Sequence, residues 1–174
     1  EKYQVWINAL QDKVSRVNDS LKETAKQNID KCQNACDRIV SAVHLLDESA
    51  KADNKAFRAF QLANEAMLMQ RRQSILKNKG QYDPDKVTWY PFQLAFILHE
   101  LSSFIEPFGH PGQDIPDREM VDLLWFPTGG GKTEAYLGIT AFVIFLRRLR
   151  DHSADGVTVI MRYTLRLLTL QQFE

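Results

Sequence analysis

Apolar residues recur every three or four positions through the first part of the chain. Tyr3, Ile7, Leu10, Val14, Val17 and Leu21 trace one stripe of an amphipathic helix. Ile29, Cys32, Cys36, Ile39, Val43 and Leu46 trace a second. The join between them steps through Ala25 like a stutter, so one long helix and two helices joined near Asn28 both fit. A third stripe uses Phe57, Phe60, Asn64, Met67, Leu68, Arg71 and Ile75. No Gly or Pro interrupts residues 1–77, which are expected to form a helical bundle or hairpin. Residues 78–90 lose the period and carry Gly80 and Asp83-Pro84, the marks of a linker. Pro91 then stands where a proline suits a helix start, ahead of the helically spaced FQLAFILHELSSFI.

After a proline-rich loop the period changes. Residues 121–126 (VDLLWF) are a short apolar run, followed by PTGGG and a helical stretch to about Arg150. Residues 157–161 (VTVIM) are a second, β-branched run, and LRLLTLQQF reads as the opening of another helix. Strand, Gly-rich turn, helix and strand in that order predict a βαβ unit of a parallel sheet. The helix between the runs is apolar on most sides from Ala135 to Leu146, which predicts packing between the sheet and another layer.

A content of 44% hydrophobic and 25% charged residues excludes collagen-like and disordered classes. The 22 basic residues balance 22 acidic ones, so nucleic-acid binding through bulk charge is excluded and only local basic patches remain. No apolar run reaches the ~20 residues that cross a bilayer, and no signal-peptide pattern is present, so a cytoplasmic protein without membrane partners is expected. The chain starts without Met inside one apolar pattern and stops inside another, which predicts a piece of a longer protein. Cys32 and Cys36 share a helix face with His44 as the nearest third donor, a pattern read as core packing rather than a metal site. VHLLDE at 43–48 imitates a Mg2+-holding acidic motif but falls in a helical stretch. His99 and His110 read as polar surface residues, and Arg147, Arg148 and Arg150 suit the end of a helix dipole.

FPTGGGKTE, residues 126–134, carries the most chemistry. Consecutive glycines allow a backbone to wrap closely, so the N–H groups of Gly129, Gly130, Gly131 and Lys132 can converge on a phosphate, aided by the following helix dipole. Lys132 would supply a point charge to the β and γ oxygens, and the Thr133 hydroxyl would hold Mg2+. Glu134 is either a supporting group at that site or a favourable first-turn acid. Phe126 stands where the general GxxxxGK(S/T) pattern has its first Gly.

That departure resembles the phosphate loop of superfamily 2 helicases, A-x-T-G-x-G-K-T, which Pro127, Thr128, Gly129, Gly131, Lys132 and Thr133 match. YPFQ at 90–93 resembles the aromatic-Gln motif of the same helicases. This likeness implies that Gln93 bonds the adenine edge while Phe92 supplies an aromatic ring for the base. MRYTLRLLTLQQFE resembles their motif Ia, implying phosphate-backbone contacts from Arg166 and Gln171, with Thr164 beside them. WFPTGGGKTEAYLGITAFVIFLRRLR and GVTVIMRYTLRLLTLQQF, with AFRAFQLANEAMLMQRR upstream, are similar to the helicase family of the DISARM anti-phage system, the DrmA family. The likeness covers roughly residues 56–174. It implies an ATP- and Mg2+-dependent DNA helicase or translocase, working with partner proteins of a defence complex. The expected fold class is therefore α/β: an N-terminal helical region, residues 1–77, then a linker, 78–90, then the first βαβ part of a RecA-like P-loop ATPase domain, incomplete, in 91–174. The alternative is a non-catalytic, nucleotide-responsive scaffold that docks a partner.

Overall fold

Helix boundaries follow from local hydrogen bonding. The computed structural model describes residues 1–78, 81–106, 119–125, 127 and 130–162. Five α-helices lie among them: α1 (Lys2–Gln11), α2 (Asp19–Lys51), α3 (Lys55–Lys77), α4 (Pro91–Ile105) and α5 (Lys132–Arg150). Asn18 starts α2, its side-chain oxygen accepting from the Ser20 N–H at 3.1 Å, and the helix runs unbroken through Asn28, so the break lies at residues 12–18 rather than near Asn28 as expected. Between α2 and α3 the chain turns at Asn54, which has φ 58°. Ser49, still in α2, caps the next helix by accepting from the N–H groups of Ala56 at 3.0 Å and Phe57 at 3.3 Å. Pro91 opens α4, and Gln93 folds back to accept from the Tyr90 N–H at 2.9 Å.

One core joins α2, α3, α4 and α5. It contains Ala42, Leu46, Ala56, Ala59, Ala63, Ile97, Leu101, Phe142 and Leu146, so it draws on both sides of residues 78–90. The α3 contribution is a row of alanines, whose small side chains let the α5 backbone approach closely. Gly138 serves the same purpose on α5: a Cβ there would lie 3.0 Å from both Ile97 and Trp89. Trp89 is pinned by its indole N–H, which donates to Asn64 Oδ1 at 2.7 Å. A smaller cluster of Ile7, Ile29 and Cys36 seats α1 on α2, and the amides of Gln4 and Gln33 exchange hydrogen bonds of 2.7 and 3.0 Å across the same contact. Cys32 packs against that cluster and both thiols are free, while His44 pairs with Glu48 at 3.4 Å.

The expected α/β class is corrected by these observations. Among the described residues the architecture is all-helical, with no strand and hence no βαβ unit of a RecA-like domain. The two runs that read as strands, 121–125 and 157–161, have no strand ladder. A ladder needs backbone donors and acceptors free to meet another strand. Here Arg147 takes the carbonyl oxygens of Asp155, Gly156 and Val157 and the hydroxyl of Thr158, holding the second run against α5. Asp122 is held by Arg38 on α2, which fixes the first run elsewhere. The apolar α5 is indeed packed on several sides, but between α3 and α4 rather than against a sheet.

No described helix is long and apolar enough to cross a membrane.

Candidate functional site

The phosphate-loop segment meets α5 at its N-terminus. Gly131 is the cap residue, with φ +86° in the left-handed region that favours glycine. A Cβ at this position would also fall 2.8 Å from the Gln93 side-chain nitrogen. The Pro127 carbonyl closes the turn, accepting from the Gly130 N–H at 3.2 Å and from Lys132 Nζ at 3.3 Å. No side chain caps the helix, and Lys132, Thr133 and Glu134 form its first turn. The helix thus begins with a backbone turn, a cation and a hydroxyl, a combination suited to an anion. Thr128 and Gly129 lie outside the described residues.

Gln93 is brought to this turn from the start of α4. It is buried, its oxygen accepts from the Tyr90 N–H, and its nitrogen donates to the Gly131 carbonyl at 2.7 Å. The amide therefore ties the first turn of α4 to the cap of α5. Each of its two atoms keeps one further hydrogen-bonding position in principle. Phe92 is half-buried beside it and stacks with Tyr90, ring centroids 6.3 Å apart. The expected nucleic-acid contacts Thr164, Arg166 and Gln171 lie outside the described residues, as does His110.

A second cluster lies two turns further along α4. Arg38 of α2 is buried and donates to both carboxylate oxygens of Asp122, at 2.8 and 2.9 Å. Glu100 lies 4.0 Å from the same guanidinium and 2.9 Å from His99 Nδ1, while His99 Nε2 lies 3.9 Å from Asp122. Burial pushes the Asp122 carboxyl up. The Arg38 hydrogen bonds and charge, with His99, outweigh it and hold the group below the usual carboxylate range. His99, Glu100 and Asp122 bring ligand-type atoms within 4.8 Å of one another. The guanidinium already supplies the positive charge there, so the cluster is an ion-paired bolt rather than a cation site. Sequence reading missed it, placing His99 on the surface. The usable signal was Arg38 itself, in step with Ala42, Leu45 and Ser49 on a buried face of α2.

Two of the arginines at the end of α5, Arg147 and Arg150, also have defined partners. Arg147 holds the 155–158 segment, and Arg150 donates to the carbonyls of Phe104 and Ile105 at 3.0 and 2.8 Å, capping the end of α4. Both are thereby committed to packing within the chain.

Comparison with known proteins finds no matching family model. DISARM protein DrmA of Bacillus paralicheniformis is 41% identical over 185 aligned positions, which take in 98% of this chain and 15% of that protein. The chain is thus homologous to part of DrmA, and spans only that small share of its length.

Proposed function

We propose that this chain is the nucleotide-phosphate-binding part of a DrmA-like defence protein, whose whole length is an ATP-dependent DNA helicase or translocase. The observation that carries the reading is the N-terminus of α5: a left-handed Gly131 cap, no side-chain cap, and Lys132 and Thr133 in the first turn. The homology to DrmA and the helicase-like loop sequence support it from a second direction.

The residues present suit ATP with Mg2+. The backbone of Gly129, Gly130 and Gly131 would cradle the phosphates, Lys132 would balance their charge, and Thr133 would hold the metal, with Glu134 supporting. Bound ATP supplies a terminal phosphoryl group whose transfer to water releases free energy for movement on DNA. Lys132 Nζ donates to the Pro127 carbonyl, and a phosphate oxygen would take the place of that neutral acceptor. Gln93 holds the cap of α5 in place and offers its remaining hydrogen-bonding positions, with Phe92, to the adenine. Arg166, Thr164 and Gln171 are proposed to meet the phosphate backbone of DNA. Cytoplasmic partner proteins of the defence complex complete the assembly. A nucleotide-responsive scaffold is the second reading, favoured by the tie from Gln93 to Gly131, which would relay an occupied loop into the helical core.

The test is Lys132→Ala. In this chain it is expected to weaken binding of mant-ATP with Mg2+ by about tenfold or more, with helical circular dichroism unchanged. In the parent protein it is expected to abolish ATP turnover. Binding within about threefold of wild type in the folded variant would overturn the assignment. Turnover by the wild-type parent separates the helicase from the scaffold.

A further inference from the structure

The bolt beside α4 stands on the chain just ahead of the phosphate loop. Asp122 precedes Pro127 by five residues, and Pro127 is the residue whose carbonyl closes the turn on Gly130 and Lys132. Arg38, which grips Asp122, is 84 residues away in sequence and belongs to α2. We infer that Arg38 is a positioning residue for the phosphate loop: by fixing the incoming arm at Asp122, it makes nucleotide affinity depend on the helical region 1–77. The inference rests on reading that loop as a nucleotide site.

Three observations carry it. First, the grip is directional, a two-pronged pair on a buried guanidinium. Second, little else on the arm is buried: Val121, Leu123 and Trp125 point to solvent at 97%, 83% and 88% exposure. Leu124, on the same face as Asp122, is half-buried and shares the hold on the arm with the ion pair. Third, the outgoing end of the loop is tied to the same helix. Gln93 holds the Gly131 carbonyl, and Glu100 and His99 border Asp122 two turns further along α4. Asp122 ahead of the turn and Gly131 at its end are thus both tied to α4, and Arg38 sets the first tie from α2. A shift of α2 against α4 would displace Asp122, and with it Pro127 and the turn.

Hydrogen exchange in this chain without nucleotide tests the placement, and mant-ATP titration with Mg2+ tests its consequence. In Arg38→Met and Asp122→Asn, exchange at the Gly130 amide, which donates to the Pro127 carbonyl, is expected to accelerate about tenfold, with mant-ATP affinity falling by a similar factor. Amides in the middle of α2 and α5 are expected to stay near their wild-type rates. Arg38→Lys keeps the charge without the two-pronged geometry and is expected to fall between wild type and Arg38→Met. It carries the test if Arg38→Met does not fold. An unchanged Gly130 amide would overturn the inference, and so would equal acceleration of all amides, which would make Arg38 merely structural. A wild-type chain that binds no mant-ATP would sink the nucleotide reading. The exchange pattern would still decide whether Arg38 positions the turn.

Discussion

Two apolar stretches of this chain meet opposite fates. In α5, Phe142 and Leu146 are 1% and 3% exposed, while in the 119–125 segment Val121, Leu123 and Trp125 are more than 80% exposed. Both stretches are rich in large hydrophobic side chains, and both were expected to be interior. The difference lies in what holds each one. A helix satisfies its own backbone, so α5 is free to turn its apolar faces toward α3 and α4. An extended segment needs a partner for its backbone and has alternating faces, so whichever side chain is gripped decides which face is buried. Here Arg38 grips Asp122, and the residues alternating with it point outward. The ion pair, with half-buried Leu124 on the same face, thereby sets the orientation of the arm, and three large side chains are left outside.

The comparison breaks most easily at its buried end. Phe142→Ala should leave a cavity among α3, α4 and α5 and cost about 3–5 kcal/mol in urea unfolding. A loss below about 1 kcal/mol would mean that α5 is not the centre of the core.

Acid sharpens the comparison at the ion pair. Asp122 is held below its ordinary value in the folded chain, so its stabilising contribution is present above the unfolded carboxyl value of about 4. That contribution is lost as pH falls through the lower, folded value. The urea midpoint of wild type should therefore drop on acidification below about pH 4 more steeply than that of Asp122→Asn. Parallel curves would show that the pair contributes nothing to stability.

The smallest effect is expected at the exposed end. Trp125→Ser should change the stability of this chain by no more than about 0.5 kcal/mol, despite removing its largest type of apolar side chain. A loss comparable to Phe142→Ala would show that the arm is packed in solution.

Much of the helical architecture was legible because its signals are local. The stripes at Ile7, Ile29 and Cys36 mark buried faces, Pro91 opens a helix, and the Gly-rich turn stands directly before α5. The third stripe was less informative. It stressed Phe57, Phe60 and Met67, whereas the fully buried face of α3 is Ala56, Ala59 and Ala63. Size patterns of that kind mean little until a neighbouring helix is known to approach. The strand readings failed over 121–125 and 157–161 for a related reason. β-branched and alternating residues report a tendency to extend, and a sheet exists only when two extended segments meet.

By itself the sequence determined that most of the first 77 residues are helical, that Pro91 starts a helix, and where glycine must permit a left-handed turn. Each of these depends on residues within a few positions of one another, whose spacing repeats with the helix or meets the steric limits of the backbone. Only the tertiary structure decided that Gln93 would hold Gly131, that Arg38 would hold Asp122, and that the apolar side of the arm would face solvent. Those pairings join residues 38 and 84 positions apart. No local periodicity encodes them, because they depend on which helices pack together and on the desolvation that makes a buried charge require its partner.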